Sequence, residues 1–227
     1  MPASAFEGFT PETFLFLMEI RFNNNKDFFE ANRARYNRVL KAPLQALAVR
    51  ILPCALKMNA QFDQRVSSIV SRIRRDTRYS ADKSLYRDHA WLGFRLPGSS
   101  ISEQFTPYFE ITPESYGYGM GMYAPDAAMM RRYRAVMLAW PSEFLAHAKR
   151  LEERGFVLEG DAYKRDRFPD APEALKPYLN RKAIAWCFSS PSLAPTLAPS
   201  LADEIADAFD LLRPMYCLLH DKLVKED

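Results

Sequence analysis

Histidine, cysteine and glycine are all scarce in this chain. Its 227 residues hold three histidines, three cysteines and eight glycines. Cys54, Cys187 and Cys217 are odd in number and far apart, which excludes a disulfide framework and the paired spacing of a zinc knuckle. Reduced thiols in a cytoplasm are the expectation. His89, His147 and His220 leave little material for a histidine metal cluster. The chain also lacks a P-loop, a G-x-S-x-G elbow, an H-E-x-x-H helix and a Cys–His pattern, so no cofactor or metal is called for. No apolar run approaches the roughly 18 residues of a membrane span, and no membrane partner is expected. The opening "MPASAFEGFT" has neither a basic n-region nor an apolar h-region, so a secretory leader is not expected.

What is present is ordinary globular material: 48% hydrophobic, 13% aromatic and 26% charged residues. That balance suits a folded chain, here read as a single domain over residues 1–227. A net charge of +3 is too small to announce nucleic acid. The charge is unevenly spread, however. Residues 65–95 hold eight cations (Arg65, Arg72, Arg74, Arg75, Arg78, Lys83, Arg87 and Arg95) against Asp76, Asp82 and Asp88, an excess of five, so the remainder of the chain carries two net negative charges.

The densest part is "SRIRRDTRYSADKSLYRDH", residues 71–89. Arginine stays charged at any relevant pH, and its planar fork fits phosphate or carboxylate bidentately. Arg72, Arg75, Arg78 and Lys83 are the candidate ligand contacts, with Ser80 and Tyr86 beside them. Asp76 and Asp82 would orient the cations, or bind metal in a catalytic version acting on a phosphoester. His89 is the one histidine near the stretch and the candidate general base; Asp76 and Asp82 are the other catalytic candidates. A small anionic, phosphate-bearing ligand is the reading this supports. The competing readings are a phosphoester enzyme and a structural or interaction domain whose arginines and aspartates satisfy each other. Nucleic acid is a lesser option, because no stacking platform accompanies the basic residues.

Periodicity outlines the rest. Thr10 and Pro11 open a helix over 11–22 carrying Phe14, Leu17, Met18 and Phe22, and "NNN" at 23–25 ends it and caps the next. A third helix follows Pro43, and Pro53 should kink or end it. "VSSIVSRIR", "AWLGFRL", "PYFEIT", "YGYGMGMY" and "AIAWCF" read as strands, the third and fourth joined by a turn near 113–115. Pro125 and Ser142 should open two further helices, and "FVLEGDAYKR" resembles a tight hairpin around Gly160–Asp161. A final helix from Leu201 should kink at Pro214. Helices at both chain ends with strands between them predict an α+β fold, with a central antiparallel or mixed sheet and both sets of helices packed on it. In "YGYGMGMY", Gly117, Gly119 and Gly121 share one strand face, which suits tight packing or the floor of a cleft. Lys164, Arg165, Lys176, Arg181 and Lys182 form a second basic group.

These segments together resemble the mainly bacterial family known as Domain of Unknown Function 2461. "SIVSRIRRDTRYSADKSLYRDH" is similar to its signature, R-D-x-R-F-S-x-D-K-S-P-Y. "GFTPETFLFLMEIRFNNNKDFFEANRARY" resembles its opening, "GYGMGMYAP" its glycine-rich strand, and "YKRDRFPDAP" its C-terminal basic segment. Leu85 stands where the family has proline, Tyr79 for phenylalanine, and Phe28 where tryptophan is common. The resemblance covers nearly the whole chain and implies one α+β domain. It implies no reaction.

Overall fold

A computed structural model describes residues 5–76, 78, 82–99, 104–122 and 124–224. Helix α1 (Pro11–Phe22) starts where Thr10 and Pro11 predict it. Its buried face is Phe14, Phe16, Leu17 and Ile20, while Phe22 is exposed, so the apolar stripe is rotated from the one the sequence suggested. Asn25 caps α2 (Lys26–Ala31) by accepting from the Phe28 amide at 2.9 Å. The short α3 (Arg33–Tyr36) runs through a π-helical turn (Asn37–Lys41) into α4 (Ala42–Met58). Pro43 cannot donate to the Val39 carbonyl, and the buried Thr13 hydroxyl donates to it instead at 2.6 Å.

Pro53 does not end α4, nor does Pro214 end α9 (Leu201–Val224). The carbonyls each proline leaves without a helical donor belong to Val49 and Asp210, both exposed residues. The two helices pack along each other, which holds them through the break. By length and composition, the Arg33–Met58 stretch is apolar enough to cross a membrane. Here its Leu47, Ala48, Ile51 and Ala55 are fully buried within the fold.

Five strands form one antiparallel sheet: β1 (Ala90–Gly93), β2 (Thr106–Ile111), β3 (Tyr116–Gly121), β4 (Val157–Glu159) and β5 (Ala185–Ser190), in the order β1-β2-β3-β5-β4. Thr112 closes the β2–β3 turn by accepting from the Glu114 and Ser115 amides. Two segments differ from the sequence reading. Residues Val66–Ile69 form a helical turn, α5, because Asp63 takes the Arg65 amide and guanidinium and starts a turn there. Only beyond it is the chain extended, bridging Val70 to Leu92 and Arg74 to Tyr86. Nor do residues 156–165 fold back on themselves: β4 pairs with β5, and Ala162 bridges Arg181. Gly160, at φ +115°, lies so close to Ala183 that a Cβ there would meet its carbonyl at 2.1 Å. Long-range pairing displaced the local hairpin.

α6 (Ala127–Ala139), capped by Asp126, begins two residues after Pro125, and α7 (Pro141–Glu153) has Trp140 as its cap, two residues before Ser142. The short α8 (Lys176–Leu179) precedes β5. One face of the sheet carries Leu92, Phe109, Ile111, Met120 and Trp186, all fully buried. Phe94 meets Phe209 of α9 edge-on at 5.8 Å, and Tyr116 donates to Glu204 of the same helix at 2.9 Å. Each such side chain contributes about 1.5–3 kcal/mol of transfer free energy. The architecture is α+β, with N-terminal α4 and C-terminal α9 on the core face. That leaves the opposite face of the sheet for other uses.

Candidate functional site

Alternation along a strand sends every second side chain to the other face. Opposite the core residues lie Trp91 and Gly93 of β1, Tyr108 and Glu110 of β2, the three glycines of β3, and Ala185 and Cys187 of β5. A cleft of about 640 Å³ opens over this face. That size suits a small-molecule site. At the β1 edge it is bordered by Arg75, Arg87, His89 and Trp91; at the β4 edge, by Glu159, Gly160 and Ala183.

Glycine is what keeps the floor clear. Gly119 stands in register between Tyr108 and Cys187. A Cβ there would lie 2.1 Å from the Trp186 carbonyl oxygen, and one at Gly121 would lie 2.4 Å from the Ala185 Cβ. With neither present, β5 approaches closely, and the Tyr108 hydroxyl passes over bare backbone to donate to Cys187 Sγ at 3.0 Å. Both expected uses of the glycines, tight packing and a cleft floor, are met by one strand.

The ionisable groups of the cleft are strongly influenced by burial. Cys187 is pushed up to about 12 by burial, with Glu159 and Glu110 adding to the effect, so its thiol stays protonated near neutrality. Burial, reinforced by Cys187 and both glutamates, likewise raises Tyr108. Glu110 is raised by burial despite the opposing pull of His89. His89 sits between two carboxylates: Nδ1 is 3.1 Å from Asp88 and Nε2 is 3.9 Å from Glu110. Burial works against the charge of Asp88, but hydrogen bonds from Arg21 and His89 hold it below the usual carboxylate range. Arg21 Nε donates to Asp88 at 2.7 Å, and its remaining donors pair with Glu114.

The basic stretch is divided by this geometry. Arg75 enters the cleft; its side chain is 18% exposed and pairs with Asp82 at 3.1 Å. Its Nε is buried with no hydrogen-bond partner among the described residues. Arg87 lines the cleft too, anchored by the Arg72 and Arg74 carbonyls at 2.7 and 3.0 Å. Arg78 is instead exposed and chelated by Asp76, whose carboxyl Arg78 lowers to about 2. Arg72, Arg78 and Lys83 are not part of the cleft lining, and Ser80 lies outside the described residues. Tyr86 is buried, stacked on Phe29 at 4.4 Å, with its backbone held by Asn24. Asp76 serves Arg78, while Asp82 serves Arg75 and the Ser84 amide. Of the candidates, Arg75 and His89 meet in the cleft.

The residues that sequence reasoning did not single out are Arg87, Trp91, Tyr108, Glu110, Cys187 and Glu159. Trp91, Tyr108 and Glu110 carried a signal, since they alternate with Leu92 and Phe109. Cys187 alternates with Trp186 on the expected strand "AIAWCF", while Glu159 carried no signal, because β4 is short and its pairing is long-range. The second basic group is engaged locally: Lys176 with Glu173 and Asp166, and Arg181 with the Pro177 and Gly160 carbonyls.

Residues 12–217 match the family model of a conserved hypothetical protein, DUF2461, and the chain belongs to that family. No curated protein matches it.

Proposed function

We propose that the cleft binds a small molecule carrying an anionic group, a phosphate or a carboxylate, at its Arg75–Arg87 end. One observation supports this above the others: Arg75 lines the cleft with a buried Nε lacking a partner among the described residues. That Nε is closed to solvent, so an oxyanion in the cleft would reach the guanidinium through its Nη groups, one of which pairs with Asp82 at 3.1 Å. Arg87, held rigid by two carbonyls, adds a second charge. Trp91 and Tyr108 supply an apolar wall for the rest of the molecule. Calorimetry with inorganic phosphate, phenyl phosphate and benzoate tests the reading. Arg75→Ala should weaken binding about tenfold or more, the scale of a lost charged hydrogen bond. Equal affinity in native protein and variant would refute it.

A catalytic use of the same cleft has its own support in the line Arg21–Asp88–His89–Glu110. An ionised carboxylate on Nδ1 orients an imidazole for proton transfer at Nε2, and Nε2 is the atom on the Glu110 side. The reaction class this suits is phosphoester hydrolysis. Hydrolysis of p-nitrophenyl phosphate esters, with and without magnesium or manganese, should disappear in His89→Gln. Turnover that persists in that variant eliminates His89 from the role.

A further inference from the structure

We propose that the ligand is bipolar and elongated, with its anion at Arg75 and Arg87 and a cationic amine at the opposite corner of the cleft, against Glu159. The inference rests on the anion reading above and adds the second pole. Its geometry follows from the strand register. Trp91, beside the arginine end, is opposite Glu110 on β2. Glu159 is opposite Ala185, which is opposite Gly121, which is opposite Thr106. The two ends are therefore four strands apart and shifted by four residues along the sheet. At about 4.8 Å per strand and about 3.4 Å per residue, the diagonal between backbones is ~24 Å. Inward-reaching side chains shorten the free path, which still exceeds the span of a lone phosphate.

Charge changes sign along this diagonal. Arg75 and Arg87 stand at one end; Glu159 stands at the other, with no ion pair to a described cation. Arg181 forms no ion pair with it; its Nε and Nη1 donate to the Pro177 and Gly160 carbonyls. Lys182 lies 3.9 Å from Asp161. Glu159 is felt inside the cleft, being among the charges acting on both Tyr108 and Cys187. Between the poles lie Tyr108, bare Gly119 and the protonated Cys187 thiol, while Glu110, near the arginine end, faces His89 at 3.9 Å. An anion alone would leave the Glu159 end unmatched and would be repelled there. A molecule with an amine or guanidine at its far end complements both ends, and like-charge rejection excludes simple dianions.

Matched series of alkyl phosphates and ω-aminoalkyl phosphates of increasing chain length, titrated calorimetrically at low salt, test the proposal. The amine should raise affinity by up to about fivefold, at longer chain lengths only, because Glu159 is exposed and its pair with the amine stays solvated. Glu159→Gln should remove that gain and leave the alkyl phosphates unchanged, whereas Arg75→Ala should weaken both series. No gain at any length, or a gain that survives Glu159→Gln, overturns the bipolar ligand while leaving the anion site standing. Failure of both series to bind overturns the two readings together.

Discussion

The 71–89 stretch and the open face of the sheet differ in how their charges are assembled. The stretch is dense in sequence, but much of its charge is matched within it: Asp76 chelates Arg78, and backbone carbonyls hold Arg87. The sheet face is sparse in sequence, drawing one to three residues from each of five strands, and it encloses the cleft. Two arginines of the stretch, Arg75 and Arg87, cross from one region to the other. Density of charge along a chain thus marks a region able to pair with itself. A site requires charges brought together from separate elements with space left between them.

The sharpest way to break this contrast is at the floor. Gly119→Val should cost about 3 kcal/mol or more, because its side chain meets the Trp186 carbonyl, which belongs to the paired β5 backbone and cannot move aside. Denaturant unfolding measures it, and a near-native midpoint would show the floor to be looser than the register implies.

Next in size is the divergence between neighbouring arginines. Arg75→Ala should weaken anion binding about tenfold or more. Arg78→Ala should change affinity less than about twofold and leave stability nearly unchanged, as for other exposed ion pairs. Equal losses in the two variants would return the site to the loop as a whole.

Smaller still is the effect of Glu110. Its folded-state pKa is raised, so folding binds its proton more tightly, and the stability that proton confers is lost as pH rises through the folded value. Glu110→Gln should therefore be more stable than the native protein at pH 7. The difference should shrink as pH falls towards the unfolded carboxylate value near 4.3. Urea midpoints across that range check the sign, and a variant less stable at pH 7 would show that attraction to His89 outweighs burial.

Much of the fold was legible because it depends on local period. Four of the five strands were placed by alternation, and the helices from Pro11 and Leu201 by their apolar repeats and caps. Errors fell where distant contacts outweighed local signals. Val66–Ile69 turned helical around Asp63, and β4 chose β5 over its own hairpin. Pro53, expected to kink or end its helix, and Pro214, expected to kink its own, both lie inside continuous helices. For the site, sequence proposed Arg75 and His89 through local charge. It was silent on Glu159, whose neighbour in β5 is more than 25 residues away along the chain.

By itself, the sequence determined the α+β layout, the family, and the presence of more guanidinium groups than one loop's carboxylates can neutralise, since these follow from periodicity, motif and formal charge. Which arginines face a cavity, what negative charge stands across from them, and which cysteine and tyrosine meet between were decided only by the tertiary structure. The reason is geometric: strand order and register set who shares a face, and both are fixed by pairing between segments that say nothing of each other in one dimension.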